Sequence, residues 1–192
     1  MHGYSASYLL FLPDRKYNNE TTIRNVDAGQ EEWFEFCLLC DISLERAEEV
    51  QRNLNDARFY SEYLDATKKE EIKKLIKEYN IDFVMDASSP FCANYIFDAA
   101  FESGVDYSNM GTWSVPKENP AYGLGIENSY DEVMTAYNFD RDDAWRNQGN
   151  TALICLGIDP GVVNVFAKYL CKYEFDKVEE RHVREGGNLE VA

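Results

Sequence analysis

The chain has 192 residues, enough for one domain or a domain with an appendage, and at that size about 70% of the unfolded surface can be buried. Apolar residues make up 45% and aromatic residues 14%, too many for a disordered chain, while no apolar run is long enough to cross a bilayer. Nineteen Lys and Arg against 35 Asp and Glu leave a formal charge of −16, which excludes the basic footprint needed by a binder of nucleic acid or anionic membrane.

In the first 33 residues only Tyr8 to Leu12 has strand character, and Lys16 to Glu32 is polar with little amphipathic order. Strand and helix then alternate. Phe36 to Asp41 is continuously apolar, as a strand buried on both faces should be, and Ser43 can cap a helix whose Leu44, Ala47, Val50 and Leu54 share one face. Arg58 to Leu64 is a second strand. Thr67 to Glu70 has the spacing of a capping box, ahead of a helix buried through Ile72, Leu75, Ile76 and Tyr79. Ile81 to Met85 is the third strand. Ser89 and Pro90 supply a cap and a first-turn proline, Cys92, Ile96, Ala99 and Ala100 face inward, and Gly104 stops the helix. Val105 to Ser108 is a short strand, and Asn109 to Ser129 an irregular loop with three glycines and two prolines. Tyr130 to Gln148 is predicted as a helix, Thr151 to Leu156 as a strand, and Asp159-Pro160-Gly161 opens a helix reaching about Tyr173. Lys177 to Arg184 alternates like a last strand. The whole pattern predicts an α/β fold with a mostly parallel sheet covered by helices on both faces.

The five cysteines are odd in number and sit in apolar stretches, the pattern of reduced core thiols in a cytoplasmic protein. Cys37 and Cys40 form a C-x-x-C on a predicted strand, where positions three apart face opposite sides, so both are expected to be buried thiols. Only His2 and His182 are available, which argues against a metal site or a Ser-His-Asp triad. His182, beside Arg181, is expected on the surface, and no residue stands out as a general acid or base. Met1 to Pro13 lacks the basic start and small-residue cleavage site of a secretory signal.

In an open parallel sheet ligands bind at the carboxyl ends of the strands, so the residues just after each strand are the candidates for contact. They are Asp41 and Ile42, Asp65 and Ala66, Ala87, Ser88, Ser89 and Pro90, and Asn109. An acidic residue in the place of Asp41 accepts hydrogen bonds from a ribose and disfavours a 2′-phosphate; it is equally a common helix-entry residue, and Asp65 carries the same ambiguity. The small residues from Ala87 to Ser89 let a flat ligand approach the backbone, or simply cap a helix. Gly157 to Gly161, with Asp159, Pro160, Gly161 and Asn164, makes a preorganised turn at a helix start, although Asp-Pro-Gly is also a generic turn.

Leu39 to Ala47, Asp65-Ala66, Ser88 to Phe91, Ala99 to Tyr107 and Gly157 to Asn164, in this order and spacing, resemble the saccharopine dehydrogenase family, which includes saccharopine reductase, lysine dehydrogenase and carboxynorspermidine dehydrogenase. The resemblance implies a Rossmann-like, doubly wound nucleotide-binding domain and hydride transfer between a nicotinamide cofactor and the carbon-nitrogen bond of an amino-acid-derived amine or imine. The cofactor is NAD or NADP, with NAD favoured by Asp41. Two departures stand against full activity. The family opens with a Gly-x-Gly-x-x-Gly turn, whereas here Gly3 and Gly29 are the only glycines before Gly104, and Pro13-Asp14-Arg15 would follow the first strand. The family also continues into a second domain where this chain stops.

The expected organisation is therefore an atypical segment 1–33, a nucleotide-binding domain 34–175 and the start of a truncated catalytic and dimerisation domain at 176–192. Val178, Val183, Leu189 and Val191 should lie uncovered, which predicts weak self-association or a completing partner chain. The competing expectation is a non-catalytic nucleotide-sensing or interaction module that binds no cofactor tightly, or an inactive remnant.

Overall fold

The computed structural model describes residues 6–11, 34–120, 122–123 and 129–182. Its apolar runs form the strands β1 (Ala6–Phe11), β2 (Phe34–Asp41), β3 (Phe59–Tyr63), β4 (Phe83–Asp86), β5 (Asp106–Asn109) and β6 (Ala152–Leu153). All pair in parallel, in the order β3-β2-β1-β4-β5-β6. This is the doubly wound order of dinucleotide-binding sheets, with the reversal between β1 and β4. β1 thus lies at the centre, and Pro13-Asp14-Arg15, which the sequence places after it, is outside the described residues.

Helices α1 (Leu44–Leu54), α2 (Lys69–Glu78) and α3 (Ala93–Ser103) connect the strands, followed by α4 (Ala136–Phe139), α5 (Asp142–Gln148) and α6 (Val162–Tyr173). Alternate β2 side chains serve two cores. Cys37 and Leu39 join Ala47 of α1 and Phe59, while Leu38 and Cys40 join Ile72 and Ile76 of α2 and Ile96 and Phe97 of α3. Helices therefore cover both faces, and the two cysteines face opposite sides as expected. One rung runs across four strands through Leu38, Leu9, Val84 and Tyr107, each fully buried. Burying each such side chain contributes about 1.5–3 kcal/mol. Phe97 gathers the rings of Tyr107, Tyr137 and Trp145 at centroid distances of 5.4, 6.3 and 5.1 Å. Gly104 ends α3 at φ 70°, a left-handed conformation that suits glycine.

Several local expectations are corrected. The stretch predicted as one helix from Tyr130 to Gln148 is two short helices, beginning only at Ala136. The Thr67–Glu70 box does not form: α2 begins at Lys69, and both the amide and hydroxyl of Thr67 donate instead to Asp65 Oδ1, at 2.9 and 2.7 Å. Ser43 does occupy the N-cap position of α1, without a side-chain capping bond. β6 is shorter than predicted, and residues 177–182 form no strand, pairing with no neighbour among the described residues; the rest of that stretch lies outside the described residues. On α6, Val162, Val165, Phe166, Tyr169, Leu170 and Tyr173 recur at helical spacing and are all exposed. No helix among the described residues is long and apolar enough to cross a membrane.

Candidate functional site

Two strands, β2 and β4, end in an aspartate, and a third, β3, is followed by one; each carboxylate turns back onto the chain two residues later. Asp41 Oδ1 accepts the Ser43 amide at 2.7 Å, Asp65 Oδ1 the Thr67 amide, and Asp86 Oδ1 the Ser88 amide at 3.0 Å. Asp and Asn favour such turns because the side chain mimics a backbone acceptor. The repetition lines the carboxyl edge of β2, β3 and β4 with loops of one shape. A cavity of about 250 Å³ opens between them. Its walls include Asp41, Ile42, Asp65, Ala66, Ser88 and Ser89, so six of the sequence candidates meet in one place. Arg46, from the first turn of α1, completes the wall and pairs with Asp41 Oδ2 at 3.0 Å. Its backbone amide bonds to the Ser43 carbonyl, which fixes the start of the helix that carries it.

The three carboxylates differ in environment. The Thr67 amide and hydroxyl hold the Asp65 carboxyl below the usual carboxylate range. Burial instead pushes the Asp86 carboxyl up, although hydrogen bonds from Ser88 and Tyr107 oppose the shift. Asp86 accepts the Ser88 hydroxyl at 2.6 Å and the Tyr107 hydroxyl, on Oδ2, at 3.0 Å. Burial, with Asp86 beside it, raises the Tyr107 phenol well above its ordinary value. Of the two cysteines that line the cavity, Cys40 is buried, and burial raises its thiol; Cys37, on the opposite face, is pushed up to about 12. Neither environment suits a nucleophilic thiolate.

A second cluster lies beyond β4, β5 and β6. Asn109, only 2% exposed, accepts the Cys155 amide on Oδ1 and the Leu156 amide on its backbone carbonyl, both at 2.8 Å. It therefore clamps the loop after β6 and sits apart from the 250 Å³ cavity. Gly157 passes so close to the Met110 carbonyl that any side chain there would collide with it. Gly161 has φ 143° and packs on the Gly157 backbone, and Val162 donates to the Gly157 carbonyl at 2.9 Å as α6 begins. Phe91 and Trp113, from the loops after β4 and β5, touch here with ring centroids 4.9 Å apart. Ala87 is buried behind this edge, Pro90 lies beside Gly111, and Asp159 and Asn164 are exposed on the loop and first turn leading into α6.

Arg46, Asp86, Tyr107 and Trp113 were not singled out by sequence reasoning. A basic residue five positions after a strand-ending aspartate was the available signal for Arg46. Asp86 was obscured because the apolar run ends at Met85, although the chain pairs one residue further. The small cavity between acidic turns and an arginine fits the ribose side of a nucleotide: the carboxylate accepts hydroxyls and the small side chains admit a flat base.

Residues 28–153 match the family model described as the saccharopine dehydrogenase NADP binding domain. A carboxynorspermidine synthase of Vibrio cholerae serotype O1 is 31% identical over 131 residues, covering 67% of this chain and 30% of that protein. A carboxyaminopropylagmatine dehydrogenase of Synechocystis is 23% identical over 141 residues, covering 73% of this chain and 32% of that protein. Among solved structures, the apo saccharopine dehydrogenase (L-Glu forming) of Saccharomyces cerevisiae superposes with a TM-score of 0.60 at 14% identity, over 88% of this chain and 32% of that chain. The chain thus spans about a third of the length of these relatives.

Proposed function

The chain belongs to the saccharopine dehydrogenase family through its NADP-binding domain, and from that premise we propose that it serves an oxidoreductase acting on the carbon-nitrogen bond of an amino-acid-derived amine or imine. Its part in that reaction is to hold the nicotinamide dinucleotide. The observation that supports this most is the meeting of Asp41, Asp65 and Ser88 around one cavity at the carboxyl edge of a sheet in dinucleotide-binding order. The relatives' names supply the substrate class, since they concern carboxyalkylated polyamines and related amines.

We further propose that NAD is preferred. A 2′-phosphate would meet the Asp41 carboxylate at close range, and Arg46, already paired with that carboxylate, offsets only part of the repulsion. Affinity is expected to be modest, because Pro13-Asp14-Arg15 replaces a glycine turn in the sequence and withholds an amide from the pyrophosphate. Titration calorimetry with both cofactors tests this. NAD should bind more weakly than micromolar yet tighter than NADP, and Asp41→Asn should shrink the difference. Sub-micromolar binding, or a clear preference for NADP, contradicts it. Binding without any turnover would favour the second reading, a nucleotide-sensing module, which the same missing glycines support.

A further inference from the structure

Phe91 and Trp113 are held together at 4.9 Å with their planes tilted by 49°, yet they remain 42% and 38% exposed. Two large rings kept in contact at a surface, on loops from adjacent strands, form a platform on which a flat ligand can stack. We propose that this pair receives the nicotinamide ring, and that it holds the oxidised, cationic ring more tightly than the neutral reduced one. The proposal rests on the reading that the chain binds a dinucleotide.

Continuity is the first argument. Ser88 and Ser89 line the ribose-side cavity, and Phe91 stands two residues further along the same loop, so a ligand leaving that cavity along the strand ends reaches the aromatic pair next. Spacing is the second. From β2, which ends on Asp41, to β5, whose loop carries Trp113, are three strand intervals, about 14 Å of sheet edge, so the aromatic pair lies across the β1–β4 reversal from the ribose-side cavity. Support from below is the third. Thr112, Ser114 and Val115 around Trp113 are buried, and Gly111 lies against Pro90, so the two ring-bearing loops are braced rather than free. Charge is the fourth: an aromatic face attracts a cation, and the oxidised nicotinamide ring is a pyridinium whereas the reduced ring carries no charge.

Equilibrium binding of NAD+, NADH and ADP-ribose to the 192-residue chain separates these claims. NAD+ should bind about tenfold tighter than ADP-ribose, with NADH between them. Trp113→Ala should remove that gain and leave ADP-ribose affinity unchanged, and Trp113→Phe should restore most of it. NAD+ binding no tighter than ADP-ribose in the native chain would overturn the proposal and spare the cofactor reading. NADH binding tighter than NAD+, or Trp113→Ala weakening ADP-ribose as much as NAD+, would overturn it too. A native chain that binds none of the three would overturn the cofactor reading and this proposal with it.

Discussion

Asp41, Asp65 and Asp86 close three similar turns; Asp41 and Asp86 are both buried, and Asp86 is the least exposed of the three, bonded to Ser88 and Tyr107. Its carboxyl is raised above the unfolded value, so the native state holds that proton more tightly than the unfolded chain does. Its contribution is therefore fully present below the ordinary carboxylate pKa of about 4 and is lost as pH rises through the raised native value. Denaturant titrations of the native chain and Asp86→Asn across this range should show the native chain losing stability relative to the variant as pH increases. Parallel curves would contradict the assignment. Tyr107→Phe should cost roughly 1–3 kcal/mol, because it leaves a buried carboxylate oxygen without its donor. At this scale the sequence was informative wherever position along a strand decided the role, as for Asp41 and Asp65. It was silent where the role depends on a distant neighbour, as for Tyr107 across the sheet or Trp113 against Phe91.

Strands and helices were legible where burial imposed a period. β2 and α1 to α3 formed where the apolar spacing and Gly104 indicated, while β4 begins two residues after Ile81 and runs one residue past Met85. The helix predicted from Tyr130 to Gln148 is broken between Phe139 and Asp142, where a side chain competes with the backbone. The Arg141 guanidinium lies 3.5 Å from the Tyr137 ring centroid and donates to the Tyr137 carbonyl at 2.8 Å. That carbonyl is the acceptor a continuing helix would need for the Arg141 amide, which turns to Asn138 instead. α6 formed as predicted, but its apolar stripe faces outward. An exposed stripe of this size favours association with another chain. Sedimentation should show the average mass rising with concentration, and Phe166→Glu should suppress the rise. A mass independent of concentration in the native chain would exclude self-association through this helix.

The molecule as a whole carries −16 and is proposed to bind an anionic cofactor. Long-range repulsion is then screened by salt, since the Debye length falls from about 30 Å at 0.01 M to about 8 Å at 0.15 M. Cofactor affinity should rise over that interval, the reverse of what a basic phosphate site shows, and a steady loss of affinity with salt would point to a cationic site elsewhere. A cleft at the other end of the sheet, lined by Lys73, Lys74, Lys77 and Gly104, is larger than the cavity beside Asp41. Size alone would choose that cleft, whereas strand polarity chooses the carboxyl edge. Mapping amide chemical-shift changes on adding NAD+ decides between the two ends of the sheet most directly. The shifts should concentrate at Asp41 to Ser43, Ser88 to Phe91 and Gly111 to Trp113; shifts confined to the cleft around Lys73 and Gly104, or none at saturating cofactor, would contradict the account.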